Sequence, residues 1–244
     1  MISKTLLTLV MLAFLVFPEV APARDNESYA QTYLILIKGS AAGNERTSET
    51  TAKDEIVSTS EHEMLITDGL ETKRMTFSTK MVLSKANSAL LSYSCKYSGA
   101  SGDSYDVVVR DNQITRTLKR GDRTNEATTA LQANTVLVDF NVYHHYDYLA
   151  RRYDSKKGGR QLFSNYVPVI GTDIQLALTF LGNDSLDFGK GTVPVRSFKV
   201  EFVGIWAGTL SVDKDGRLVR LLVPAQDLEV IRQDLAGNAA GNKQ

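Results

Sequence analysis

Apolar and polar positions alternate along most of this chain with a period of two, the pattern of strands with one face on a core and one in water. In "KRMTFSTKMVLS", Met75, Phe77, Met81 and Leu83 share one side, and Thr76, Ser78 and Lys80 take the other. "LLSYSCKY" repeats the pattern with Leu91, Tyr93, Cys95 and Tyr97. "TYLILIKG" is instead a continuous apolar run, as expected of a strand covered on both faces. "AAGNE" after it reads as a turn or bulge. "DEIVSTSEHEMLI" is rich in β-branched residues, and "TDGL" closes it. "YDVVVR" and "QITRTLKR" flank "DN", the signature of a tight hairpin, and a further polar strand is expected through "RTNEATTAL". Beyond residue 160 the strand pattern resumes, with "GNDS" and "DKDG" read as turns. There "VPVRSFKVEFVGIW" reads as one strand, with Phe198, Val200, Phe202 and Trp206 on a common face.

One stretch breaks the period. Val142, Tyr146, Leu149 and Tyr153 recur at spacings of four, three and four, which predicts an amphipathic helix at about 140–154. Asp139 or Asn141 suits its N-cap, and Gly158 and Gly159 suit its end. Asp147 and Arg151 form an i, i+4 pair on what the pattern makes the outer side. The sum is about eleven or twelve strands and one helix. So large a sheet must curl or split to bury its apolar face. The expected fold is all-β: a large curved antiparallel sheet, half-barrel or barrel-like, with one inserted helix.

The ends add a destination. Residues 1–23 carry Lys4, an apolar run from Thr5 to Phe17, and Ala21-Pro22-Ala23, a secretory signal pattern with cleavage expected after Ala23. Residues 24–31 read as a polar leader, 32–235 as a single β-rich domain and 236–244 as a disordered tail. No other stretch is apolar enough to span a bilayer as a helix, and a periplasmic or extracellular location is expected. The formal net charge is +0, which argues against nucleic acid as a partner. The single cysteine, Cys95, rules out an internal disulfide and by parity points into the core, so it reads as inert.

Candidate chemistry is thin. "SVDKDGRL" lacks the twelfth-position glutamate of a calcium loop and is flanked by strands. "FGKGT" has Gly191 where a phosphate loop needs Ser or Thr, and "SGASGD" misses the nucleophile-elbow spacing. The three histidines are His62, His144 and His145. Adjacent residues on a helix diverge by about 100°, so His144 and His145 cannot both face one ion. His62 shares a strand face with Ile56 and Met64. A two-histidine-plus-carboxylate site is possible, but packing roles are favoured, with His145 half-buried and His144 solvated. Neither a metal nor another cofactor is assigned.

The layout resembles a group of exported bacterial proteins of unknown function. The residues that carry it are the signal segment, "YLILIKGSAAGNE", the long meander and the late "DKDGRLVRLLVP" hairpin. It is also similar to the curved half-barrel of the lipoprotein-localisation factors, which implies a bent sheet holding acyl chains under helical cover. The leading expectation is therefore a non-enzymatic binding or carrier module for an apolar ligand, such as lipid or a lipidated partner. Its ligand face would comprise Phe140, His144, His145, Tyr146, Leu149 and Tyr153 from the helix, and Phe198, Phe202 and Trp206 from the sheet. Two alternatives stand beside it: an envelope assembly protein acting through protein contacts, and a hydrolase or isomerase using His144 or His145.

Overall fold

Every turn in the first half of the chain sends the backbone back antiparallel to the strand before it. The computed structural model describes residues 27–68, 71–98, 102–189 and 191–236. The expected signal segment, and the expected tail beyond Ala236, lie outside these residues. Strands β1 (Glu27–Ile37), β2 (Ser40–Thr51), β3 (Glu55–Asp68), β4 (Glu71–Ser84), β5 (Leu90–Ser98), β6 (Ser104–Arg110), β7 (Gln113–Arg120) and β8 (Arg123–Ala130) each pair antiparallel with the next. A short β9 (Thr135–Val136) leads to helix α1 (His145–Arg152). Strands β10 (Arg160–Val167), β11 (Thr172–Asp187), β12 (Thr192–Phe202), β13 (Trp206–Val212), β14 (Leu218–Val223) and β15 (Leu228–Arg232) follow. β15 pairs antiparallel with β1, so both meanders join in one 15-stranded sheet whose edges are β8 and β9. The sheet is open and curved, and no helix among the described residues is long and apolar enough to cross a membrane.

Local chemistry sets the turns. Asp111 and Asn112 both take positive φ (49° and 59°), the geometry of the tight hairpin that "DN" announces. Lys38 and Gly39 do the same between β1 and β2. "AAGNE" is a bulge within β2, where the register shifts between Ile35 and Leu36. Gly43 follows, and a Cβ there would lie 2.2 Å from the Glu63 carbonyl oxygen, so only glycine lets β2 approach β3.

Three readings of the sequence change. β1 starts at Glu27, inside the stretch read as a leader, because residues 27–31 find register partners on β2. "GNDS" lies inside β11, which bulges between Phe180 and Gly182 and continues, paired with β12. Cross-strand pairing outweighs turn propensity there. The run through "KVEFVGIW" is broken by a turn at 203–205, so Phe202 and Trp206 sit opposite each other on adjacent strands.

The sheet curls around α1. One apolar cluster joins Tyr33 and Ile35 of β1 and the inward residues of β10–β15 to Tyr146, Leu149 and Ala150. A second joins Phe77, Met81, Tyr93, Val107 and Ile114 of β4–β7 to Val142, Tyr148 and Tyr166. His145 to Ala150 are all buried, so α1 has no outer side. The helix is also shorter than the predicted 140–154. Asn141 takes a left-handed φ of 61°, and the chain turns helical only at His145. Eight residues are too few for a stable isolated helix, so burial by the surrounding sheet supplies its stability.

Candidate functional site

The entry to α1 carries most of the buried polar chemistry. His144, at the N-cap, makes no side-chain capping bond. Glu45 of β2 does that work from outside. Its carboxylate accepts the Tyr143 N–H at 2.8 Å and the His144 N–H at 3.3 Å, and its negative charge faces the positive end of the helix. His144 Nδ1–H donates to Glu45 Oε1. His62 of β3 is the direct register partner of Glu45, and its Nε2 lies 3.7 Å from Glu45 Oε1. The His62 ring stacks on Phe77 at 4.1 Å, and its Nε2 shares a 2.6 Å hydrogen bond with Ser60 Oγ. Ser60 Oγ in turn lies 2.6 Å from Thr79 Oγ1.

Glu45, His62 and His144 are 0%, 3% and 1% exposed, and one donor atom from each lies within 4.8 Å of the others. Burial pushes the His62 imidazole down to about 4, against the pull of Glu45. Burial alone would raise the Glu45 carboxyl, but the two histidines and the Tyr143 amide outweigh it and hold it below its ordinary 4.5. At neutral pH, Glu45 is therefore ionised and His62 neutral.

The adjacent histidines diverge, as helical geometry requires. His145 Nδ1 accepts the Asp139 N–H at 3.2 Å, and the ring meets Tyr93 edge-on at 5.3 Å. The Asp139 carboxylate accepts hydrogen bonds from Tyr93 (2.8 Å), Tyr105 (2.5 Å) and the Phe140 N–H (2.9 Å). Burial raises its pKa, although these bonds pull it down. Burial also keeps His145 well below the usual histidine range. The expectation of a solvated His144 and a half-buried His145 does not survive, since the curling sheet covers both.

The supposed outer face of α1 meets a polar wall. The Asp147 carboxylate accepts the Leu218 N–H at 2.7 Å. Glu49 of β2 receives Arg217 through both guanidinium nitrogens at 2.6 and 2.8 Å, the Tyr148 hydroxyl at 2.7 Å and Arg151 at 3.3 Å. β2 and β3 present Glu45, Thr47, Glu49, Ser58, Ser60 and His62 inward, so this wall shows no apolar alternation.

Apolar chemistry gathers on the other side of the helix entry. A cavity of about 150 Å³ is lined by Phe140, Val142, Tyr143, Tyr146, Phe202, Ile205, Trp206, Leu221, Val223 and Leu228, with Asp139, Asn141 and Gln226. Phe202 and Trp206 stack with centroids 4.7 Å apart. The candidate residues thus separate. Phe140, Tyr146, Phe202 and Trp206 line this cavity, while Leu149 is core. Tyr153 and Phe198 pack on each other 5.2 Å apart. His144 sits with Glu45 and His62, His145 sits with Asp139 and Tyr93, and neither lines this cavity. Sequence reasoning missed Glu45 and the cavity residues Ile205, Leu221 and Leu228. Only the strand register and the turn at 203–205 bring these together.

No protein-family model matches the chain, and no curated protein does. A solved structure that is similar is a beta-barrel-like protein of a domain of unknown function (DUF1849) from Brucella abortus. It matches with a TM-score of 0.57 at 8% identity, over 85% of this chain and 94% of that one. The likeness is one of fold: a large curved sheet of beta-barrel-like type.

Proposed function

We propose that this protein is an exported, non-enzymatic binding module that takes one small apolar group into the cavity between the helix entry and the β12–β13 turn. Export rests on the signal pattern of residues 1–23. The observation that carries the binding reading is the convergence of Phe140, Tyr146, Phe202 and Trp206 on one cavity, with Asp139, Asn141 and Gln226 as its polar lining. Its volume of about 150 Å³ narrows the ligand. Drug-sized ligands need roughly 300–1,000 Å³, whereas a dry cavity near 150 Å³ suits one aromatic ring. A whole acyl chain exceeds it, because α1 fills the concave space such a chain would need. This favours a small apolar molecule, or one side chain of a partner, over a lipid cargo. A catalytic reading of His144 or His145 is disfavoured, since both are at most 1% exposed.

Trp206 is the only tryptophan and reports on the cavity directly. Toluene or cyclohexanol is expected to shift its fluorescence saturably, and Leu228→Phe, which fills the cavity, to abolish the shift. An unresponsive Trp206, together with palmitate co-purifying at one per chain, would overturn this reading in favour of a lipid carrier. The envelope-partner alternative draws on Ile205 and Phe140, which are 58% and 42% exposed beside the cavity. It predicts that Ile205→Asp removes a cross-linked partner in the native envelope without changing toluene binding.

A further inference from the structure

We infer that Glu45, His62 and His144 form a binding site for one divalent transition-metal ion of the zinc type, separate from the apolar cavity. Two imidazole nitrogens and one carboxylate oxygen are a recurrent ligand set for such ions. Here they come from three elements: β2, β3 and the start of α1. Their donor atoms already lie within 4.8 Å of one another. Around a tetrahedral ion with bonds of about 2.0–2.2 Å, ligands stand roughly 3.3–3.5 Å apart, so side-chain rotations on the order of 1 Å complete the set.

The surroundings support the assignment. Each position is held by something other than the ion. Glu45 is fixed by the Tyr143 and His144 amides, His62 by its stack on Phe77, and His144 by the helix. Ser60 Oγ, bonded to His62 Nε2, is a hydroxyl placed beside the cluster. His62 Nδ1 and His144 Nε2 are buried and make no hydrogen bond in the protein. They are not the nitrogens that would hold the ion: that role falls to His62 Nε2 and His144 Nδ1, the ring atoms beside Glu45. The exchange balances: His144 shifts its proton from Nδ1 to Nε2, the Ser60 hydroxyl turns away from His62 Nε2, and the two freed lone pairs and one Glu45 oxygen take the cation. The single negative charge of Glu45, buried behind β2 and β3, then offsets half of the ion's double positive charge.

Because the cluster is at most 3% exposed, the ion enters as the chain folds. The test therefore refolds the full chain from denaturant with Zn²⁺ or Co²⁺, or with EDTA, and then removes free metal. About one ion per chain is expected, with the visible absorption of four-coordinate Co²⁺. A rise in Tm of about 5–10 °C over the EDTA sample should accompany it. Glu45→Gln, His62→Gln and His144→Gln should each lose the Co²⁺ band, while His145→Gln keeps it. Circular dichroism identifies which variants are folded, and the wild-type chain alone can refute the proposal. Refolded wild type with no bound metal and an unchanged Tm would overturn it. So would a Co²⁺ band that persists in folded Glu45→Gln and His144→Gln.

Discussion

At the scale of single residues, two buried acids, Glu49 on β2 and Asp147 on α1, respond to pH in opposite directions. Burial alone would raise Glu49, but the bidentate Arg217, Tyr148 and Arg151 outweigh it and hold it below its ordinary 4.5. Its folded pKa is depressed, so its contribution is present above about pH 4.5 and is lost as pH falls below it. Arg217→Ala leaves that carboxylate buried without its main partner. A loss of about 3 kcal/mol at pH 7 is expected in urea unfolding, shrinking at pH 4. Asp147 behaves inversely. Burial raises it from 3.8 to about 6, despite the Leu218 amide and the nearby arginines. Folding therefore takes up a proton between those values, and ionisation costs about 3 kcal/mol that is absent below pH 4 and complete above pH 6. Asp147→Asn keeps an acceptor for the Leu218 amide. Its Tm relative to wild type should climb as pH rises from 4 to 7, and a difference that stays flat with pH would contradict this account.

At the scale of elements, α1 and β8 stand at opposite ends of stability. α1 is eight residues long, capped by a carboxylate from β2 and buried from His145 to Ala150. Nothing local keeps it folded, so it should open only when the sheet does. β8 is exposed along its whole length and pairs on one edge only, with β7. Native-state hydrogen exchange should give the amides of Leu149 and Ala150 the full global unfolding free energy, and those of β8 far less. Faster exchange in α1 than in β1 would mean that the helix is a movable lid. The sequence disclosed the helix through its four-three-four apolar spacing, but only one of its faces. The other face looked like a solvent side because Asp147 and Arg151 are charged, and charge alone does not say whether a polar wall waits opposite.

At the scale of the whole molecule, the joining of β15 to β1 turns two meanders into one open, curling sheet, and both candidate sites lie where that sheet meets the entry to α1. The one-sided alternation of β4 and β5, the "DN" hairpin, the buried Cys95 and, among the described residues, a single α-helix were all legible in the sequence. Each depends on neighbours a few residues away. Period-two parity even put His62 on the inward face. Glu45 was not legible, because "GNERTSETT" offers no apolar alternation from which to read a face. Its role follows from its place opposite His62 and beneath the first turn of α1. The apolar cavity divides the same way. Phe140, Tyr146, Phe202 and Trp206 were readable as aromatic residues on helix and sheet faces, but Ile205 and Leu221 join them only through the β12–β13 turn and the return of β14. The sequence by itself thus determined the strand-rich class, the aromatic supply and the divergence of His144 from His145, because these are matters of short-range period. The tertiary structure alone decided that the helix is enclosed rather than laid across an opening, and that a carboxylate and two histidines meet. Both require contacts between segments roughly a hundred residues apart, where no local period carries information.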